Sequence, residues 1–152
     1  MKLAKALVLR ADDQNRIEQL QQRLIQNVKV QADDQPAENP EILQQELEQL
    51  ALELVPLIQR INRTNCYTEL KAGMSIADAL AARDVTKLKS DIYRNLAQAA
   101  IVKQDQQTKS EIKFQSTIQV AEVQRKADQL AKEHHQLDTR VQQANWQTKL
   151  ED

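Results

Sequence analysis

The chain is 152 residues long, yet it has one glycine, one cysteine, three prolines and only 3% aromatic residues. A single glycine leaves little room for turns at positive φ, which argues against β-sandwiches and barrels and against any glycine-rich phosphate loop. A single cysteine excludes an internal disulfide framework. Few aromatics mean a thin core, because aromatic side chains bury the most area per residue. No stretch approaches the roughly 18 consecutive apolar residues of a membrane-spanning helix. The opening MKLAKALVLRADD is only faintly signal-like: Lys5 breaks its apolar run, and Arg10, Asp12 and Asp13 close it. The expected location is the cytoplasm. A formal net charge of −1 supplies no basic excess to gather phosphates, so nucleic acid is not an expected partner.

What the chain has in abundance is Gln, Leu, Ala, Glu and Lys, all good helix formers. Its length fits one domain, residues 1–152. The spacing predicts helices over about 2–31, 40–61, 76–103 and 120–146. In the first, Leu3, Leu7, Ile17, Leu20, Leu24 and Val28 form one broad stripe. In the second, Leu43, Leu47, Leu50, Leu54, Leu57 and Ile61 alternate steps of four and three, a heptad seam. Pro56 lies within it and is expected to kink the helix. The third carries Leu80, Val85, Leu88, Ile92, Leu96 and Ala99. The fourth has a seam of Val120, Val123, Ala127, Leu130, His134, Leu137, Val141 and Ala144.

The breaks are marked by composition. ADDQPAENP, residues 32–40, ends one helix and starts the next, with Asn39 as N-cap and Pro40 at the first helical position. Ser75 followed by Asp78 reads as the capped start of the third helix. Residues 67–76, which hold Gly73, read as a short hairpin or an irregular loop. In SEIKFQSTI, Ile112, Phe114, Ser116 and Ile118 alternate with polar residues, the period of a strand. The expected fold is therefore all-α: long antiparallel helices in a coiled-coil-like bundle, with room for a two-stranded β-ribbon formed by residues 67–72 and 111–118.

RINRTNCY, residues 60–67, is the polar interruption that calls for an explanation. Arg60, Asn62, Arg63 and Asn65 stand together after the second seam, and Arg83 and Asp84 lie one helix later. Arginine forks match carboxylates and phosphates with paired hydrogen bonds, so one reading is a small anion or polar-ligand pocket. The other is a structural network, Arg63 with Asp84 and the Asn side chains closing a helix end. Cys66 reads as a plain loop cysteine, since a nucleophile needs a nearby base or positive field. His134 sits in a seam, where a polar residue more often sets register than binds metal. Adjacent helical residues such as His134 and His135 diverge, so no metal site within one chain is expected. Asp138 and Arg140 read as helix-surface charges.

RINRTN, ALAARD (79–84), LDTRVQQANW (137–146) and the opening MKLAKALVLRADDQNRIEQL together resemble the septicolysin-like family of small bacterial proteins. Ala82 stands where that family's motif has arginine, so a site of two adjacent arginines is not implied. The resemblance implies long helices in a coiled-coil-like assembly, and the family name implies a cytolysin. Taken together, the expectation is a non-enzymatic helical protein without cofactor that forms a homo-oligomer through its heptad seams. The alternatives are a ligand binder or hydrolase built on the Arg60–Asn65 and Arg83–Asp84 cluster, and a membrane-active protein.

Overall fold

A computed structural model of the chain describes residues 1–101 and 112–152. Among these the elements run α1 (Leu3–Asn27), α2 (Pro40–Tyr67), β1 (Glu69–Lys71), β2 (Met74–Ser75), α3 (Ile76–Ala99) and α4 (Val120–Gln147). They fall into two compact units, residues 1–69 with 142–152 and residues 70–141. No helix among the described residues is long and apolar enough to cross a membrane.

In the first unit, α1 and α2 pack antiparallel: Arg16 pairs with Glu46 on α2, and Arg23, farther along α1, pairs with Glu38 just before α2 begins. Their joint core is Leu20, Leu43 and Leu50, buried together, with Ile17, Leu24 and Leu47 packed around them. These are the residues of the predicted stripes, and each buried leucine contributes about 1.5–3 kcal/mol. Val28 departs from its stripe: α1 ends at Asn27, and Val28 is exposed. Asn27 is buried and closes the corner. Its Nδ2 donates to the Arg23 carbonyl at 2.7 Å, and its Oδ1 accepts from the Glu38 amide at 3.0 Å. Asp33, at φ 68°, makes the left-handed turn between the helices. Asn39 caps α2 by accepting from the Glu41 amide, with Pro40 next.

The seam of α2 is half-buried or buried throughout, and Ile61 is wholly buried. Pro56 lies on the exposed face, as does Leu52, whose carbonyl would otherwise take its hydrogen bond. The helix therefore runs on through Pro56 with that carbonyl on the wet side. It also runs six residues past the expected end at Ile61. RINRTNCY is not an interruption but the last two turns of α2, and the chain leaves the helix at Thr68. The reason is burial: Ile61 and Thr64 face inward with no exposed surface, which overrides the low helix propensity of Asn, Thr and Cys.

The two-stranded ribbon forms, but between other partners. β1 pairs with β2 across Gly73, whose φ of 76° suits the one residue without a Cβ. Residues 112–118 form no strand, and residue 111 lies outside the described residues. Ser75 then starts α3 with a reciprocal capping box: its hydroxyl accepts from the Asp78 amide, and the Asp78 carboxylate accepts from the Ser75 amide. The helix is described to Ala99, and residues 102 and 103 of its expected span lie outside the described residues.

In the second unit, α3 and the first part of α4 also pack antiparallel. Arg83 meets Asp138, Ser90 meets Ala127, and the Lys126 ammonium lies 5.7 Å from the Tyr93 ring centre. The α4 seam is the inward one, with Val123, Ala127 and Val141 buried. The α3 stripe is not. The buried residues of α3 are Ile76, Ala79, Ser90 and Ala97, while Val85, Leu88, Ile92 and Leu96 face outward at 56, 59, 54 and 42% exposure.

Candidate functional site

The sequence-marked polar residues divide between two places. Arg60 and Arg63 sit on the last turns of α2 and hold residues 151 and 152. The Arg60 Nε donates to the Glu151 carbonyl at 2.8 Å, and its Nη2 donates to Asp152 Oδ1 at 3.0 Å. The Arg63 Nη2 donates to the Asp152 main-chain oxygen at 2.9 Å. Thr64, which the sequence did not single out, is the centre of this arrangement. Its buried hydroxyl donates to the Arg60 carbonyl at 2.8 Å and accepts from the Glu151 amide at 2.9 Å. Asn62 is exposed and Asn65 half-buried on the same turns.

A short antiparallel bridge completes the anchor. Lys2 faces Lys149; the Leu3 amide donates to the Thr148 carbonyl at 3.0 Å, and the Leu150 amide donates to the Met1 carbonyl at 2.9 Å. The Lys2 ammonium reaches the Gln147 carbonyl at 2.6 Å. Leu3 and Leu150 are buried. The arginines of RINRTN thus do what their forked donors suit them for, with acceptors from residues of their own chain. The Arg60–Asp152 ion pair itself contributes little, because the Asp152 side chain is fully in water. The main-chain bonds and the buried Thr64 carry the anchor.

Arg83 and Asp84 lie in the other unit. The Arg83 guanidinium donates from Nε to Asp84 Oδ1 and from Nη1 to Asp138 Oδ1, both at 3.0 Å. Asp138 is therefore half-buried against Arg83 and not a plain surface charge. Arg63 takes Asp152, not Asp84, as its partner. A signal for Arg83–Asp138 was present: antiparallel pairing of the α3 and α4 patterns sets these two residues opposite each other. Nothing local in the sequence announces that residues 151 and 152 return to α2.

The remaining candidates keep modest surroundings. Cys66 is a free, exposed thiol. His134 is half-buried in the α4 seam and His135 exposed. Among the described residues, no three His, Cys, Asp or Glu side chains are grouped to hold a metal ion. Among the described residues, two carboxylates are perturbed. A hydrogen bond from Arg23 holds Glu38 below its usual range, and the Ser75 amide and hydroxyl do the same for Asp78.

By its fold the chain is a mostly helical protein of four helices with a short two-stranded ribbon. Its family can be stated: residues 10–150 match the model of a family of unknown function, DUF6847, and the chain belongs to that family. It is also similar to a solved crystal structure described as a functionally unknown conserved protein from Corynebacterium diphtheriae. The two share 46% identity, with a TM-score of 0.94 and 99% of each chain covered. Among curated proteins nothing matches.

Proposed function

We propose that this protein is a non-enzymatic helical protein of the cytoplasm that acts by associating with copies of itself. The observation that carries this reading is the orientation of α3. From Val85 to Leu96 its aliphatic residues point outward, while alanine, serine and a paired arginine face α4. Apolar area left on one side of a helix is what an interface needs, and burying it on a copy would supply the core that the scarce aromatics do not. A second support comes from the polar cluster. Arg60, Arg63 and Arg83 each have acceptors from their own chain, which fits a structural role for the residues a ligand pocket would have used.

Native mass measurement at micromolar concentration tests this reading. The expected result is a mass of two or more times 17.4 kDa. A chain that stays monomeric throughout would remove self-association from consideration.

The septicolysin-like resemblance adds a second reading, a membrane-active protein. The one feature that fits it is the exposed apolar row of α3, which has Lys89 on one border and Asp84 and Asp91 on the other. Dye release from anionic liposomes tests it, and intact vesicles at high protein-to-lipid ratio would end it.

A further inference from the structure

The outward face of α3 repeats a heptad of its own. Ala81, Val85, Leu88, Ile92, Asn95 and Ala99 are separated by four, three, four, three and four residues, and all are exposed. The face turned to α4, through Ala79, Arg83, Thr86, Ser90, Tyr93 and Ala97, has the same alternation. At about 100° per residue the centres of the two faces lie roughly 160° apart round the helix. One helix thus carries two seams. One is filled by α4 of the same chain; among the described residues nothing fills the other.

The residue types in the open seam specify its occupant. Val85 and Ile92 fall at the first core position of the heptad and Leu88 at the second. β-Branched residues at the first with leucine at the second favour two parallel strands. Asn95 follows at the next second position and is the one polar residue of the row. The flanks agree. Asp84 and Asp91 border the seam on one side, and Lys89 borders it on the other. In a parallel pair, the residue before each first core position faces the partner residue five places on, so Asp84 meets Lys89 of the copy. An antiparallel pair would set the two aspartates of one chain beside those of the other. Leu96 adds apolar area on the Lys89 side, and the row continues into a recess lined by Leu96, Ala99, Ile101, Phe114 and Ile118.

We infer that the outward seam of α3, Val85–Leu88–Ile92 with Leu96, is the surface on which a second copy of this chain docks, α3 against α3 in parallel. This rests on the self-association reading and names its surface. The seam from residue 81 to 99 is about 27 Å long, five turns, which two copies would bury face to face.

The test uses the full chain with Cys66→Ala, since an exposed thiol would otherwise cross-link. Val85→Cys and Ile92→Cys are each oxidised and run under non-reducing conditions. A parallel pair sets each of these residues opposite its own copy, so both single variants form covalent dimers, while Leu52→Cys, exposed on α2, forms none. In parallel, Leu88→Asp with Ile92→Asp weakens association by on the order of a hundredfold, at unchanged helical circular dichroism. Asp84→Lys alone weakens it, and Asp84→Lys with Lys89→Asp restores it. If wild type self-associates but the aspartate pair leaves the mass unchanged, or neither cysteine links, the surface is wrong and self-association stands. If wild type never self-associates, both fall.

Discussion

The α1–α2 pair and the α3–α4 pair are built from helices of similar length with equally regular apolar spacing, yet they use it in opposite ways. The first pair turns its leucines inward on Leu20, Leu43 and Leu50. In the second, α4 turns Val123, Ala127 and Val141 inward, but the middle of α3 offers small and polar groups, with Ser90 bonding across to the Ala127 carbonyl at 3.1 Å, and leaves Val85, Leu88 and Ile92 outside. Small residues let two helix backbones come close, and the contact between them is then van der Waals packing and hydrogen bonding more than aliphatic burial. The lesson is that periodicity identifies a seam but not its occupant. In α3 one seam packs within the chain and the other stays exposed.

The sharpest way to break this contrast is to delete the same side chain from both pairs. Leu20→Ala or Leu43→Ala is expected to cost about 2–5 kcal/mol in urea unfolding, transfer plus cavity. Leu88→Ala, measured dilute enough to hold the chain monomeric, is expected to cost no more than about 0.5 kcal/mol. Equal costs would mean that the α3 row is buried inside the chain after all. Next in size is Ser90→Leu, which forces bulk into the close α3–α4 contact and should cost about 1–3 kcal/mol, against about 1 kcal/mol or less for Ser90→Ala. If Ser90→Leu stabilises, the two helices are not held close by small residues.

Thr64→Val then tests the anchor of the first unit. It keeps the shape but leaves the Glu151 amide without its acceptor, at about 1–2 kcal/mol. Hydrogen exchange at Glu151 should accelerate, with α3 amides unaffected.

The smallest effect is that of pH, and it reaches one carboxylate at an end of each pair. Both Glu38 and Asp78 have their folded pKa depressed, by Arg23 and by the Ser75 cap. The stabilisation they give is therefore fully present above their unfolded values and lost as pH falls through the folded ones. Melting temperature should decline modestly as pH drops from roughly 5 to 3. Asp78→Asn should flatten part of that decline, and an unchanged slope would show that the cap contributes nothing.

Much of this architecture is legible in the sequence. Asn39–Pro40 and Ser75–Asp78 give two helix starts to the residue, because capping is local chemistry. The leucine seam of α2 and the Val123–Ala127–Val141 seam of α4 give the inward faces. The errors fall where a distant partner decides. RINRTNCY reads as a break because Asn, Thr and Cys are weak helix formers, but Thr64 is held by its own helix at Arg60 and by Glu151. For Arg60 and Arg63 the sequence leaves a ligand site and a structural network both open; what the fold replaces is the Arg63–Asp84 pairing, because residues 151 and 152 accept from both arginines. SEIKFQSTI reads as a strand by alternation, yet β1 finds a closer partner across Gly73. The α3 stripe is correct as a stripe, but local spacing cannot say whether its neighbour belongs to the same chain.

The measurement that bears most directly on this account is native mass spectrometry of the full chain beside Leu88→Asp with Ile92→Asp, over a concentration series. The account predicts an even multiple of 17.4 kDa for the wild type and a monomer for the variant at the same concentration. Identical masses for the two proteins, whether monomer or oligomer, would contradict it.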